Sequence, residues 1–214
     1  MVESARPRAA VCTLGCRVNQ YESEAIEAEL EALGFAVADF CEVCDVYIIN
    51  TCAVTGESER KSRQMIRRAA AKNPAAFVLV TGCFSQLKAE EAARIPGVDY
   101  VCGNRNKRSA AETAGYLVRE GVKRSVSCEV LDLDAAPLEK LTLPRARRGR
   151  SYVKIEDGCD NNCTYCIIKK ARGGVVSRPP EEVIAEVRAL AAAGCHEMIL
   201  TGIEAASYGK DIGR

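Results

Sequence analysis

The sequence predicts an α/β protein that begins with an open parallel sheet flanked by helices. Short β-rich runs alternate with helix-length amphipathic stretches, a pattern typical of parallel strands joined by helical crossovers. A second strand–helix–strand unit follows a charged segment that has no hydrophobic period. These observations together predict two α/β units joined by a linker.

In the first unit we expect four strands and four helices. The strands are predicted at 9–14, 45–50, 76–81 and 99–102. The helices are predicted at about 19–33, 57–72, 86–94 and 106–120. Gly34 follows the first helix and Pro74 follows the second, and both residue types commonly stand just beyond helix ends.

The second unit contains a single βαβ pattern. Its elements are a strand at 152–157, a helix at about 180–194 that Pro179 and Pro180 introduce, and a strand at 197–202. One βαβ unit cannot close a barrel or cover both faces of a sheet. We therefore predict a first domain at 8–129, a linker at 130–150 and the start of an incomplete second domain at 151–214.

Composition and charge indicate a soluble protein of the cytoplasm without a membrane partner. The 214 residues are 48% apolar, which is ordinary for a globular chain. The first residues lack the apolar region of a signal peptide, and no run approaches the about 18 apolar residues of a spanning helix. Net charge is only +1, but segments 59–72, 103–108 and 144–150 are basic. Such faces could bind a phosphate backbone, and charge alone is equally consistent with solvated helices and a charged linker.

Twelve cysteines in a reducing compartment favour metal binding over a disulfide framework. Cys16, Cys52 and Cys83 each end an apolar strand of the first unit. The carboxyl ends of parallel strands lie along one edge of a sheet. We therefore expect these three thiols to meet although they are far apart in sequence.

The second unit carries three more cysteines in one short polar loop. Cys159, Cys163 and Cys166 have the spacing C-x3-C-x2-C. A structural zinc site needs four ligands, and the only histidine, His196, lies at the far end of the next helix. An iron–sulfur cubane held by three thiolates leaves one iron free for a small molecule. A zinc site or a loop without metal is the alternative interpretation.

The spacing of this cysteine loop, with Tyr165 before the last cysteine, resembles that of the radical S-adenosylmethionine enzymes. The resemblance implies a [4Fe-4S] cluster on the three thiols that chelates S-adenosylmethionine and cleaves it to a 5'-deoxyadenosyl radical. It also implies that Tyr165 packs near the adenine. The segment Leu200, Thr201 and Gly202 would meet the methionyl amino group.

The first unit resembles the N-terminal domain of one radical family, the methylthiotransferases. The matching segments are "TLGCRVNQYESE", "INTCAVTGESERKSRQ" and "VTGC". The resemblance implies a second [4Fe-4S] cluster on Cys16, Cys52 and Cys83. Within the family, "GCRVNQYES", "AVTGESERKSRQ" and "LTGIEAASYGKD" most resemble the enzymes that act on N6-threonylcarbamoyladenosine.

The implied function is tRNA modification, namely methylthiolation of C2 of N6-threonylcarbamoyladenosine beside the anticodon. No acid–base residue is assigned, and the implied partners are the tRNA anticodon loop, an electron donor such as flavodoxin or ferredoxin, and an unspecified sulfur donor. Most of the barrel and the C-terminal RNA-binding TRAM-like domain of the family are expected to be absent from this chain. "CIIKKARGG" departs from the family's "CIIP-x-x-RG", with Lys169 at the proline position, whereas Arg172 and Gly173 match.

Three other functions remain open on sequence alone. They are an inactive fragment of the enzyme, an iron–sulfur electron carrier or sensor, and a zinc-stabilised RNA-binding module. The remaining cysteines are expected to pack as small apolar side chains; these are Cys12, Cys102, Cys128 and Cys195. Cys41 and Cys44 form a C-x2-C without a second pair nearby, and they receive no assignment.

Overall fold

The larger part of the protein is a six-stranded, fully parallel sheet. A computed structural model describes residues 6–121, 123, 125–141 and 150–213. The strands are β1 (Arg8–Thr13), β2 (Ala36–Val37), β3 (Val46–Thr51), β4 (Phe77–Gly82), β5 (Tyr100–Cys102) and β6 (Ser127–Glu129). Their order in the sheet is β2-β1-β3-β4-β5-β6, and every neighbouring pair is parallel. The predicted open parallel sheet is therefore confirmed.

Helices cover both faces of this sheet. They are α1 (Arg17–Ala32), α2 (Gly56–Lys72), α3 (Cys83–Leu87), α4 (Ala89–Ala93) and α5 (Arg108–Glu120). The single helix predicted at 86–94 is wrong, because the chain leaves the helical conformation at Lys88, which has φ −138° and ψ 50°. The edge strands β2 and β6 were not predicted because they contain only two and three residues.

The sheet separates two hydrophobic layers. Ile49 and Val80 point to the side covered by α2, α3 and α4. Ile48 and Leu79 point to the side covered by α1 and α5. All residues of β3 and β4 are buried, as expected for central parallel strands covered on both faces.

The second unit is the predicted βαβ element with a small hairpin inserted in it. Its elements are β7 (Arg150–Lys154), β8 (Glu156–Asp157), α6 (Ile168–Arg172), β9 (Val176–Ser177), α7 (Pro180–Ala192) and β10 (Glu197–Thr201). β7 and β10 are parallel, while β8 and β9 pair antiparallel at the base of the cysteine loop. The predicted continuous strand at 152–157 is therefore interrupted, because the chain leaves β10 to pair with β9.

Helix α1 contributes to two hydrophobic cores. Ile26 and Leu30 pack in the core between α1 and the large sheet. Tyr21 and Ala25, on another face of the same helix, pack with Val153 of β7 in the core of the second unit. The two units therefore share one helix.

Residues 130–141 contain no helix or strand, yet they pack on the first unit. The Gln86 side chain donates a hydrogen bond to the Leu131 carbonyl at 3.1 Å. The Glu139 carboxylate accepts hydrogen bonds from the backbone N–H groups of Lys107 and Arg108, both at 2.7 Å. Residues 144–149 of the predicted basic segment at 144–150 lie outside the described residues. Among the described residues, none of the helices combines the length and apolar character that crossing a bilayer would require.

Candidate cofactor-binding site

The three strand-end cysteines of the first unit line one cavity. Cys16 precedes α1, Cys52 follows β3, and Cys83 begins α3 directly after β4. Because β1, β3 and β4 are neighbours in the sheet, all three side chains face the same cavity of ≈ 420 Å³. Within the described ranges, no three His, Cys, Asp or Glu side chains already stand at the spacing of metal ligands. The assignment of these thiols as cluster ligands therefore stays a prediction.

Glycines allow the strand ends around this cavity to approach closely. Gly15 has φ +100°, and a Cβ atom there would lie 2.9 Å from the Cys52 sulfur. Gly82 has φ +101°, and a Cβ atom there would collide with the backbone of Thr51. A side chain is thus excluded at the position before Cys16 and before Cys83, and the cavity wall carries the three thiols that an iron–sulfur cluster requires.

Asn19 holds the ends of two strands together at the cavity. Its side-chain amide donates hydrogen bonds to the carbonyl of Leu14 at 2.7 Å and to that of Thr51 at 3.0 Å. Asn19 is buried in the first turn of α1, three residues after Cys16. The sequence analysis missed this role, although a buried asparagine near a candidate ligand is a signal for it.

Two further polar side chains contact the cysteines themselves. Ser62 accepts a hydrogen bond from the Cys52 N–H at 3.1 Å and donates one to the Cys52 carbonyl at 2.9 Å. The Asn104 amide donates to the Cys83 sulfur at 3.6 Å. Burial raises the pKa of the Cys16 thiol, and Arg172 opposes that shift. Ser62 thus fixes the backbone of Cys52, while the Asn104 amide and the Arg172 charge favour the anionic form of Cys83 and Cys16, respectively.

The second unit supplies the opposite wall of the same cavity. Thr201, Gly202 and Ile203, at the end of β10, line it together with the cysteines of the first unit. Leu200 is 55% exposed and is not part of this wall. Two of the three residues predicted to meet S-adenosylmethionine through "LTG" thus face the first group of thiols.

Glu156 supports this wall from behind. A Cβ atom on Gly202 would collide with the Glu156 carboxylate, so a glycine there lets the carboxylate approach. Glu156 accepts a hydrogen bond from the Glu204 N–H at 2.6 Å. Its Oε2 is buried without a hydrogen-bond partner among the described residues, and burial raises the pKa of the carboxyl to about 7.

The second cysteine group lies in the loop between β8 and α6. Cys159 is half-buried, whereas Cys163 and Cys166 are exposed. These last two line a separate depression of ≈ 300 Å³ together with Tyr165, which is 91% exposed. The residues predicted to contact S-adenosylmethionine therefore lie in two places. Tyr165 lines this depression with Cys163 and Cys166, whereas Thr201 and Gly202 line the cavity of the first three cysteines.

Backbone and side-chain contacts hold the cysteine loop at both ends. Gly158 has φ +86°, and a Cβ atom there would collide with the Gly174 carbonyl. The Cys159 N–H donates to the Gly173 carbonyl at 3.1 Å. Lys169, which replaces the family's proline, tethers the loop differently: its ammonium donates to the Asp160 carbonyl at 3.2 Å and to the Asn162 side chain at 3.0 Å.

A buried ion network joins the two units beside the cavity. Five charged side chains that are at most 2% exposed form it; they are Glu22, Lys107, Lys154, Asp157 and Arg172. The sequence analysis did not identify this network as a set. A signal existed in α1, where Glu22 shares a helical face with the buried residues Val18 and Ile26.

The structure corrects two sequence-based interpretations. In the basic segment 103–108, Arg105 is 4% exposed and Lys107 is fully buried, because they contact a carbonyl and a carboxylate, respectively. Of the three cations in this segment, only Arg108 is left at the surface. Cys128 is exposed rather than packed, because it lies on the edge strand β6.

The other cysteines outside the two groups differ in their exposure. Cys12, Cys102 and Cys195 are buried, as predicted, and burial raises the pKa of both Cys12 and Cys102 to about 11. Cys41 is exposed and Cys44 is buried, and they remain without an assignment.

In the remaining basic segment, Ile66 of α2 points inward while the neighbouring arginines face solvent. A phosphate-binding role for this helix stays a prediction.

Comparison with known proteins defines the class. Residues 8–103 match the model described as "Uncharacterized protein family UPF0004". Residues 153–212 match that of the "Radical SAM superfamily". The cavity between Cys16 and Thr201 thus lies between these two family domains.

Similar proteins with assigned names show which radical SAM enzymes this chain resembles. A Bacillus subtilis protein named "Threonylcarbamoyladenosine tRNA methylthiotransferase MtaB" is 43% identical over 94% of this chain and 44% of its own length. A Thermotoga maritima protein of the same name is 39% identical over 94% of the chain and 45% of its own length. A Pelotomaculum thermopropionicum protein named "tRNA-2-methylthio-N(6)-dimethylallyladenosine synthase" is 37% identical over 95% of the chain and 46% of its own length. The chain belongs to the radical SAM methylthiotransferase family, and it spans less than half the length of these relatives.

Proposed function

We propose that this chain carries both cofactor sites of a tRNA methylthiotransferase that acts in the cytoplasm on C2 of N6-threonylcarbamoyladenosine beside the anticodon. The observation that carries the proposal is the shared cavity, which has Cys16, Cys52 and Cys83 on one wall and Thr201 and Gly202 on the other. The relatives' names support the substrate, since those that name threonylcarbamoyladenosine include one 43% identical to the chain.

Two [4Fe-4S] clusters would be held by the two groups of thiols. Cys16, Cys52 and Cys83 would hold one, and Cys159, Cys163 and Cys166 the other. When bound, the clusters and S-adenosylmethionine supply the radical, the sulfur and the methyl group, while a flavodoxin or ferredoxin would supply electrons.

The chain's own residues position these groups. Asn19 and the glycines beside Cys16 and Cys83 keep the first three thiols on one rim. Glu156 fixes the turn after β10 by accepting the Glu204 N–H, so that Thr201 and Gly202 face that rim. No side chain is required to transfer a proton, because the cofactors would carry out the bond-breaking and bond-forming steps.

Iron and sulfide analysis of the anaerobically reconstituted chain tests the two sites. We expect metal matching two clusters in the parent, and half of it in either Cys16→Ala or Cys163→Ala. Cys128→Ala, which removes an exposed cysteine outside both groups, should retain both clusters. Loss of all metal, or of none, in the two site variants would contradict the assignment.

Addition of S-adenosylmethionine and tRNA then tests the chemistry. S-adenosylmethionine should change the electron paramagnetic resonance spectrum of the cluster that remains in Cys16→Ala, and leave that of Cys163→Ala unchanged. With a reductant and tRNA containing N6-threonylcarbamoyladenosine, nucleoside mass spectrometry should detect the methylthio product. Two stable clusters that do not respond to S-adenosylmethionine would favour the electron-transfer or sensor function instead.

A further inference from the structure

The buried ion network beside the cavity carries an unbalanced charge. Glu22 contacts Arg172 at 2.6 Å, Lys154 at 2.9 Å and Lys107 at 3.1 Å. Asp157 contacts Arg172 at 3.2 Å and Lys154 at 3.3 Å. Three cations therefore face two carboxylates, which leaves one positive charge without a partner. Among the next charged groups, Arg105 and Glu139 have opposite signs and cancel each other. Burial raises the pKa of the neighbouring Glu156 to about 7, so this carboxyl adds no negative charge below that pH.

This excess positive charge reaches the cavity through Arg172. Arg172 lines the cavity with the three thiols, and it is only 1% exposed. Its other guanidinium nitrogens are occupied by Glu22, Asp157 and Asn19. Its Nε has no hydrogen-bond acceptor among the described residues. A buried guanidinium N–H that has no acceptor on a cavity wall is costly unless an anion occupies the cavity.

The cluster proposed for this cavity is such an anion. An oxidised [4Fe-4S] core carries two positive charges, and three cysteine thiolates bring three negative charges. The assembly therefore carries one net negative charge, which is equal and opposite to the excess of the network.

We propose that Arg172 is a positioning residue that presents the unpaired positive charge of the network to the sulfur site at Cys16, Cys52 and Cys83, and thereby sets the reduction potential of the cluster held there. The inference rests on the proposed function of those cysteines. The same network ties α1 of the first unit to β7, β8 and α6 of the second, so the charge and the second wall of the cavity are held by one set of contacts.

The test is a redox titration of the isolated first cluster. In a parent variant with Cys159, Cys163 and Cys166 replaced by alanine, only the first thiol group can hold iron. The one-electron midpoint potential of the reconstituted chain is measured by electron paramagnetic resonance. Removal of a nearby positive charge disfavours the added electron, whereas removal of a negative charge favours it.

Three charge-changing variants give predictions of opposite sign. Arg172→Gln and Lys154→Gln should each lower the potential, and Glu22→Gln should raise it. We expect at least a tenfold change in the reduced-to-oxidised ratio at a fixed potential, which is about 59 mV for a one-electron couple. Arg172→Lys keeps the charge and should shift the potential less than Arg172→Gln.

Arg178→Gln is the matched control. Arg178 is also a buried arginine in an ion pair, 2.6 Å from Glu186, but it does not line the cavity. Its replacement should leave the potential unchanged. Circular dichroism confirms that each variant is folded, and Lys154→Gln replaces Arg172→Gln in the comparison if the latter does not fold.

The outcomes separate the two proposals. Shifts of opposite sign for the cation and carboxylate variants, with an unchanged control, support the inference. Shifts of the same sign, or no shift in a variant that binds iron normally, would overturn it, because a merely structural role moves the potential without regard to charge. Failure of the parent variant itself to bind iron would instead overturn the proposed function of Cys16, Cys52 and Cys83.

Discussion

Replacement of Glu22 by glutamine should destabilise the fold strongly. Glu22 is fully buried, and its carboxylate has three cationic partners within 3.1 Å. Glutamine keeps the shape but removes the charge, which leaves three buried cations opposite Asp157 alone. Breaking a buried ion pair by removal of one partner costs about 3–5 kcal/mol, and we expect Glu22→Gln to lower the free energy of unfolding by that amount.

The matched control lies on the same helix. Glu29, two turns further along α1, pairs with Arg108 at 2.9 Å, and these side chains are 31% and 47% exposed. The same substitution there, Glu29→Gln, should cost less than about 1 kcal/mol because solvent screens the pair. Urea unfolding is followed by far-UV circular dichroism, since the chain has no tryptophan. Equal losses for the two variants would refute the reasoning.

The pH dependence of the Glu22→Gln effect gives a second check. Burial opposes ionisation of Glu22, but Arg172, Lys107 and Lys154 outweigh it and hold the pKa well below 4.5. A carboxylate with a lowered pKa contributes stability above its unfolded pKa and loses it as the pH falls through its folded pKa. The difference between wild type and Glu22→Gln should therefore shrink on acidification below pH 4.5. A difference that does not change with pH would show that the effect is not electrostatic.

Three further predictions concern the cavity and the cysteine loop. The pKa of Glu156 rises from 4.5 to about 7, so its contribution to stability is complete below pH 4.5 and is lost as the pH rises through 7. Glu156→Gln should therefore gain resistance to urea relative to wild type between pH 5 and pH 8. A stability difference that stays constant over this range would contradict the prediction. Gly82→Ala should lower the free energy of unfolding by roughly 1–3 kcal/mol, because alanine is strained at this positive φ. Gly56→Ala is the control and should not lower it, because a Cβ atom at Gly56 meets no other atom within 4 Å. Equal urea midpoints for the two variants would contradict the strain argument. Lys169→Met should speed amide hydrogen exchange in the cysteine loop several-fold, because it removes the hydrogen bonds to Asp160 and Asn162. Lys170→Met, at the neighbouring exposed lysine, is the control. Identical exchange in the two variants would show that the Lys169 hydrogen bonds do not hold the loop.

The sequence was sufficient to predict the sheet and the meeting of the first three cysteines. The runs 46–49 and 77–80 contain only apolar residues and tyrosine, and this pattern is typical of central parallel strands. Parallel order then places the residues after those strands along one edge, which is why Cys52 and Cys83 could be expected to converge with Cys16. Both predictions depend only on the local hydrophobic pattern and on the order of the strands, and both can be read from the sequence.

The interface between the two units could not be predicted in the same way. Lys107 and Arg105 are in a segment whose composition resembles a solvated basic surface, and only tertiary contacts with Glu22 and Arg172 explain their burial. The break in the helix at Lys88 likewise follows from local backbone geometry that the hydrophobic period does not report. The burial of Lys107 and Arg105 depends on residues that are distant in sequence, so it could not be predicted from the sequence alone.

The sharing of α1 between two cores has a consequence for cooperativity. Tyr21 and Ala25 of α1 belong to the core of the second unit, while Ile26 and Leu30 belong to that of the first. Separation of the units would expose apolar surface on a helix that the first unit needs for its own packing. Partial unfolding that leaves one unit intact is therefore disfavoured, and heat or denaturant should melt both units in a single transition. The distance between the two walls of the cavity therefore depends on the stability of both hydrophobic cores that contain α1.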